Sequence, residues 1–296
     1  MSASDDPPQL RMAEPDSAER IARRLERDQV TANREREFGL EQSLAGFRVG
    51  SVKALNTVPL TRGIEDQVIY ATPAKLAEML RRDELDAGLV SVVEPLLNDR
   101  YDILDGVAVA ALGEVKSVML AHRQALEQMR EVYCDTASLT SVRLLKILLA
   151  ERGLSPEFKP LPDYGGIAAL DNFLLIGDPA LDFVLGPHDH EIFDLGAAWF
   201  EMTKLPFVFA VWALRRGVAN ATELRRQLHE AKDFGMDTLD HIIRSRTEYT
   251  EDFRKDYFGW HLHYHLGADE KRGIAKFMEL LGKHGLGPVH EPKFVW

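Results

Sequence analysis

The sequence has a single cysteine, Cys134, so no disulfide can form within the chain. Structural disulfides are typical of oxidising compartments, and a lone cysteine agrees with a reducing one. The opening residues, MSASDDPPQL, are acidic and polar, without the basic start and apolar stretch of a secretory signal. The apolar run from Leu205 to Leu214 is far shorter than the roughly 20 residues needed to span a membrane. We therefore expect a cytoplasmic protein.

Basic residues are in deficit, with 36 Lys and Arg against 47 Asp and Glu, for a net charge of −11. Such a chain repels polyanions, so we expect neither nucleic acid nor an anionic membrane as a partner. The motifs GxGxxG, GxSxG and CxxC and the P-loop pattern are all missing. Dinucleotide-binding, nucleotide-phosphate, hydrolase-elbow and zinc-ribbon interpretations therefore lack support, and we expect no cofactor.

Two histidine groups are candidates for metal binding. The first is His188, His190 and Glu191, in the turn-like stretch PHDHE. The second is His261 and His265, whose spacing of four would place both on one face of a helix. Neither group contains the HExxH pattern, and the second lies in a stretch rich in aromatic residues. Packed or solvated histidines are the favoured interpretation, and we predict no metal site.

The chain divides by composition near Phe47. Residues 1–46 are highly charged with few large apolar side chains, although Asp16 and Glu19 have capping-box spacing and predict a helix from about Ser17. We expect this extension to be exposed or loosely docked and only partly ordered. From Phe47 onwards apolar strands alternate with amphipathic helices, which indicates an α/β fold with parallel sheets.

A first group of candidate site residues follows two strands early in this body. Residues 47–60 predict a strand, a polar turn carrying Asn56 and Thr57, and a helix beginning at Pro59. A strand leading through a turn to a helix N-terminus is suited to binding an anion. Ser91 stands near the end of the apolar strand DAGLVSV. Helix capping is the alternative role for Asn56.

A second group follows two strands later in the chain. Ser138, Thr140 and Ser141 open the predicted helix SLTSVRLLKILLAERG, where free N–H groups and hydroxyls favour a carboxylate. Plain capping is their alternative role, and it is compatible with ligand contact. Asp178 is predicted to end the strand NFLLIGD, where it is a candidate general base or a turn residue before Pro179.

Six segments in register resemble the chorismate dehydratase family, whose members open the futalosine route to menaquinone. The segments are VGSVKALNTVPL, DAGLVSVVEPL, TSVRLLKILL, FLLIGDPAL, FDLGAAWFEMTKLPFVFAVWAL and HLHYHLGADEKRGIAKFMELL. The resemblance extends over about residues 47–282. It departs from the family at Lys53-Ala54, where an aromatic-containing dipeptide is expected, and at His265, where a basic residue is more usual.

This resemblance implies a two-lobed fold similar to type II periplasmic binding proteins, with the ligand in a cleft between the lobes. Lobe 1 would comprise residues 47–119 and 210–296, and lobe 2 residues 120–209, with KSVMLAH and LPFVFAVWAL crossing between them as strands.

The implied activity is the dehydration of chorismate to 3-[(1-carboxyvinyl)oxy]benzoate, without a metal or redox cofactor. The resemblance supports Asn56 and Ser91 as catalytic residues, beside Asp178, and Thr57, Ser138, Thr140 and Ser141 as substrate contacts. Two alternatives stay open at this point. One is an enzyme like 1,4-dihydroxy-6-naphthoate synthase, which shares the fold, and the other is a non-catalytic protein that binds small anions.

Overall fold

The computed structural model describes residues 18–134 and 139–296 as a mixed α/β structure with two β-sheets. The strands are β1 (Val49–Ser51), β2 (Val68–Tyr70), β3 (Ala87–Ser91), β4 (Tyr101–Ala111), β5 (Val118–His122), β6 (Glu131–Cys134), β7 (Glu157–Pro160), β8 (Asn172–Ile176), β9 (Glu191–Asp194), β10 (Phe207–Arg215) and β11 (Phe294–Val295). The α-helices are α1 (Ala18–Leu40), α2 (Pro73–Arg81), α3 (Val93–Leu97), α4 (Leu139–Ala150), α5 (Asp178–Leu185), α6 (Leu195–Thr203), α7 (Ala221–Asp237), α8 (Leu239–Ser245), α9 (Glu251–Asp256) and α10 (Ala268–Lys283).

Each sheet forms the centre of one lobe. The six-stranded sheet of lobe 1 has the order β11-β4-β10-β3-β1-β2, and the five-stranded sheet of lobe 2 has the order β7-β6-β8-β5-β9. In lobe 1, β1 runs parallel to β2 and β3, while β10 is antiparallel to β3 and β4. In lobe 2, β6 runs parallel to β7 and β8, while β5 is antiparallel to β8 and β9.

The chain passes between the lobes outside the strands. It leaves lobe 1 after β4 through residues 112–117, and it returns through α6 and the short connection before β10. The prediction that KSVMLAH and LPFVFAVWAL are crossing strands is wrong, because β5 pairs only within the lobe 2 sheet and β10 only within that of lobe 1. A central place between β3 and β4 is what makes β10 apolar on both faces.

Local signals place several helices as the sequence predicts. Thr72 caps α2, its hydroxyl accepting the Lys75 N–H, and Pro73 occupies the first turn. The predicted helix SLTSVRLLKILLAERG is α4, after which Gly153 adopts a positive φ of 75°. The apolar face of α4 is buried, as the spacing of its leucines requires.

The N-terminal helix α1 is exposed over residues 21–32 and docked at its end. Leu40 and Leu44 are only 1 % and 2 % exposed, inside the core of lobe 1. The Arg36 guanidinium donates to Glu230 at 2.9 Å and to Asp237 at 2.7 Å on α7. The core of lobe 1 therefore includes side chains that precede Phe47. The finer division of the chain into domains stays a prediction.

Among the described helices, none combines the length and the apolar character that crossing a bilayer requires.

Candidate functional site between the lobes

Four parallel strands end at the cleft, two from each lobe. In lobe 1, β1 and β3 are parallel neighbours, and in lobe 2, β6 and β8 are parallel neighbours. The carboxyl ends of parallel strands meet at one edge of a sheet, which is where α/β proteins bind ligands. Each of the four ends leads to a residue that the sequence singled out: Asn56, Ser91, Thr140 and Asp178.

The first contact across the cleft joins the end of β3 to the start of α4. The Ser91 hydroxyl makes a short hydrogen bond with the Thr140 hydroxyl. The Val93 N–H also donates to Thr140 Oγ1, at 3.3 Å, and Thr140 is buried. The structure thus brings these two candidates together from opposite lobes, through groups that carry no charge.

The second contact joins the residues after β1 to the start of α5. The Leu55 N–H donates to Asp178 Oδ1 at 3.2 Å. Burial raises the pKa of the Asp178 carboxyl, the Leu55 N–H opposes the rise, and the Asp182 and Glu248 carboxylates add to it. Asp178 does not end a strand as predicted, because β8 stops at Ile176 and Gly177, with φ of 63°, turns the chain into the helix.

The turn after β1 differs from the prediction in its helix start. A 3₁₀ helix spans Leu55–Leu60, so Pro59 lies inside it instead of beginning it. The Thr57 hydroxyl lies 2.9 Å from both the Val52 and the Ala54 carbonyl oxygens, which gives it a structural role in the turn. Asn56 Oδ1 is buried and has no hydrogen-bond partner among the described residues. A buried acceptor without a partner is costly unless a ligand supplies the donor.

The first turn of α4 carries the remaining candidates. Thr140 and Ser141 are its second and third residues and both are buried, at 3 % and 4 % exposure. The N–H groups of a helix's first turn have no partner within the helix and carry partial positive charge. Ser138 lies outside the described residues.

Tyrosines from the C-terminal part of the chain complete the surroundings of Asn56 and Asp178. Burial raises the pKa of Tyr257, on the π-helical turn Tyr257–His261, while the nearby Ser117 and Asn56 side chains lower it and the Asp178 carboxylate raises it. The Tyr249 hydroxyl donates to Asp182 Oδ1 at 2.9 Å and lies 3.3 Å from the Asp178 carbonyl oxygen. Sequence reasoning missed Ser117 and both tyrosines, since no local spacing links them to residues so far along the chain.

The histidine groups differ in their surroundings. His190 Nε2 donates to the Leu170 carbonyl at 2.8 Å, and His188 stacks on Phe183, so both have packing partners. The predicted pairing of His261 with His265 on one helix face is wrong. The π-helical turn ends at His261, whose Nδ1 donates to the Glu114 carbonyl at 2.9 Å, and the backbone from Leu262 is extended.

Comparison with known proteins identifies the family. Residues 47–283 match a family described as menaquinone biosynthesis. The chain is 35 % identical over 260 residues to a chorismate dehydratase from Thermus thermophilus, with 80 % of this chain and 95 % of the relative covered. The chain belongs to the menaquinone biosynthesis family. It is also 25 % identical over 228 residues to a chorismate dehydratase from Campylobacter jejuni, with 76 % and 89 % covered. The predicted family is confirmed.

Solved structures confirm the two-lobed fold. A protein from Archaeoglobus fulgidus superposes with a TM-score of 0.62 at 19 % identity, covering 81 % of this chain and 98 % of its own. The periplasmic aliphatic sulphonate binding protein of Escherichia coli superposes with a TM-score of 0.56 at 14 % identity, covering 84 % and 93 %. The predicted likeness to periplasmic binding proteins therefore concerns the fold alone.

Proposed function

We propose that this member of the family is a chorismate dehydratase, a carbon–oxygen lyase that converts chorismate to 3-[(1-carboxyvinyl)oxy]benzoate and water. The observation that carries the proposal is the convergence of four strand ends on one cleft, each leading to a polar residue and joined in pairs across it. The similarity to two chorismate dehydratases along most of the chain supports the choice of substrate. That the enzyme acts in the cytoplasm stays a prediction.

The reaction sets three tasks for the protein. A ring C–H bond breaks, its electron pair forms a ring double bond, and the neighbouring C–O bond breaks so that the hydroxyl leaves as water. The product ring is aromatic, so the gain of aromaticity makes the free energy of the reaction favourable without any contribution from the protein. The protein has to hold a dianion, align the two breaking bonds, and stabilise charge that spreads into the ring carboxylate.

The start of α4 is our candidate for holding a carboxylate. Its free N–H groups and the Thr140 and Ser141 side chains present donors where the helix carries partial positive charge. Ser91 reaches the same place from lobe 1, so a ligand held there contacts both lobes. Asn56, whose Oδ1 has no partner within the described ranges 18–134 and 139–296, provides a further polar group from the other strand end.

Asp178 is our candidate for the general base. A carboxyl whose pKa is raised by burial accepts a proton more readily at neutral pH than an exposed one. It lies beside Asn56 and Tyr257, with its Oδ1 on the backbone of the Asn56 turn. The substrate's enolpyruvyl carboxylate is the alternative acceptor of the ring proton, if the cleft folds it over the ring.

A turnover assay tests the proposal. The purified full chain is incubated with chorismate, the loss of the chorismate ultraviolet band is followed, and the product is identified by its mass. We expect a product lighter than chorismate by one water, formed in proportion to enzyme. The Ser91→Ala variant should form it far more slowly, whereas Ser245→Ala, at an exposed site on α8, should match the parent. Saturable chorismate binding without any product would instead support a non-catalytic anion-binding protein.

A further inference from the structure

The segment after the π-helical turn alternates between core and surface. Leu262, Tyr264 and Leu266 are buried, whereas between them His263 is partly exposed and His265 is exposed. Alternate residues of an extended chain point to the same side, so the two imidazoles are neighbours, with ring centroids 4.5 Å apart.

Glu270, in the first turn of α10, faces both imidazoles with one oxygen. Its Oε1 lies 3.1 Å from His263 Nε2 and 3.4 Å from His265 Nε2. Its other oxygen, Oε2, accepts the Gly267 N–H at 2.8 Å, the glutamate half of a capping box, and this bond fixes the carboxylate. The three ligand-type atoms all lie within 4.8 Å of one another.

Backbone hydrogen bonds and buried neighbours anchor the two histidines and Glu270 to the core. The His263 N–H donates to the Ala110 carbonyl at 2.9 Å, and the Ala110 N–H donates back to the His263 carbonyl at 3.0 Å. Glu270 is buried, at 4 % exposure, and the buried neighbours of the histidines anchor the segment to the core. His265, with 63 % of its side chain exposed, leaves the cluster open to solvent on one side.

Two of the three separations suit ligands around a single metal ion. The third, between the two imidazoles, is up to 4.8 Å, so the exposed His265 ring has to turn towards the ion to complete the site. Two atoms that each lie about 2.0–2.1 Å from a tetrahedral zinc ion are about 3.3–3.4 Å from each other. The two Nε2–Oε1 distances, 3.1 and 3.4 Å, are close to that separation. Two imidazoles and one carboxylate are a donor set that suits zinc and its neighbours, and it leaves a coordination position for water. A carboxylate fixed by a second hydrogen bond is a common feature of metal sites.

We propose that His263, His265 and Glu270 bind one divalent transition-metal ion of the zinc type, with water completing its coordination. The site uses none of the residues to which the elimination is assigned, so it stands or falls independently of the proposed activity. A bound ion would fasten the segment 262–266 to the start of α10 on lobe 1.

Calorimetric titration of the untagged full chain with zinc chloride, after removal of metal by a chelator, tests this site. We expect one zinc ion per chain, with binding weakened by more than about tenfold in Glu270→Gln and in His265→Ala, since even the loss of outer-shell partners weakens metal affinity by about 10–100-fold. Glutamine at this position can still accept the Gly267 N–H, so the cap and the fold should be kept. His241→Ala, which removes an exposed histidine of α8, is the matched control and should bind as the parent does.

Cobalt provides a second readout that does not depend on heat of binding. Cobalt(II) held by nitrogen and oxygen ligands in a four-coordinate site absorbs visible light much more strongly than the aqueous ion. We expect this absorption to saturate at one equivalent in the parent and in His241→Ala, and to be lost in His265→Ala. Absence of saturable zinc binding in the parent, or equal zinc affinity in all four proteins, would overturn the proposal.

Discussion

Two contacts that join the lobes at the cleft differ in chemistry although they occupy equivalent places. Each links the end of a strand in lobe 1 to the start of a helix in lobe 2. One pairs the hydroxyls of Ser91 and Thr140, and the other pairs the Leu55 N–H with the carboxylate of Asp178. The first contains no group that titrates near neutral pH, while the second contains a carboxyl whose pKa is raised by burial. We therefore propose that substrate positioning and proton transfer take place at different ends of the cleft.

The sharpest test of this division is Asp178→Asn, which keeps an acceptor for the Leu55 N–H but removes the base. We expect kcat to fall by about 10²–10⁴-fold, the usual contribution of a positioned general base. If Asp178 is the base, the acid limb of the pH–kcat profile reports the ionisation of this carboxyl in the parent and should disappear in the variant. A kcat within a few-fold of the parent, with its pH profile unchanged, would indicate instead that the substrate's own carboxylate accepts the proton.

At the uncharged end of the cleft, Ser91→Ala should lower kcat by about 10²-fold, as for the loss of one preorganised donor. Asn56→Ala should have a similar effect if Asn56 holds the substrate from the neighbouring strand. Neither change should alter the pH at which the remaining activity is half-maximal, since neither residue titrates. Steady-state kinetics across pH measures both quantities, and a shifted pH profile in Ser91→Ala would contradict the separation of roles.

Thr140→Val distinguishes a structural hydroxyl from an anion site, because the Thr140 hydroxyl contacts Ser91 and accepts the Val93 N–H instead of capping α4. Loss of a hydroxyl that accepts one backbone N–H costs about 1 kcal/mol of unfolding free energy. Thr72→Val is the matched control, because Thr72 caps α2 through the Lys75 N–H, on a helix that carries no candidate site residue. We expect similar losses of stability in the two variants by denaturant titration, but a raised KM for chorismate in Thr140→Val alone. An unchanged KM in both variants would leave the Thr140 hydroxyl with a structural role only, in its contacts with Ser91 and the Val93 N–H.

The smallest effect we expect is on stability against pH. The raised pKa of Asp178 means that the folded state binds this proton more readily than the unfolded chain, whose reference value is 3.8. Its stabilising contribution is full below that value and is lost as pH rises through the folded pKa. Asp178→Asn should therefore gain a few degrees in Tm relative to the parent as pH rises towards neutral. Asp66→Asn, at an exposed site, is the control. If its Tm relative to the parent changes with pH as much as that of Asp178→Asn, the buried carboxyl is not the cause of the trend.

Sequence reasoning worked best where the signal was local. The strand that ends at Ser91 and the helix that carries Thr140 both follow from apolar patterning over a few residues. The predicted capping of that helix by Thr140 or Ser141 is wrong, because both residues lie inside it and the Thr140 hydroxyl accepts the Val93 N–H. The rule that parallel strand ends meet at one edge then places Asn56 and Asp178 near them. Which of these residues touch across the cleft could not be predicted, because packing of one lobe on the other decides it.

One error came from choosing the wrong period, and other features were missed because no local pattern shows them. HLHYHLG has the strict alternation of an extended chain, and reading it with a helical period paired His265 with His261 instead of His263. Leu40 and Leu44 are sparse apolar residues in a charged stretch, so only the structure shows that they belong to the core. Tyr257 is contributed to the site from far along the chain, and no single-sequence pattern encodes that proximity.

The position of β10 has a consequence for synthesis on the ribosome. The sheet of lobe 2 is drawn from one continuous stretch, residues 118–194, whereas that of lobe 1 needs β10 between β3 and β4. While lobe 2 is emerging, β3 and β4 lack the strand that separates them in the finished sheet. All strands of lobe 2 are therefore synthesised before lobe 1 has its full set. Until β10 emerges, β3 and β4 of lobe 1 have unpaired edges, and chains with such edges are prone to aggregate.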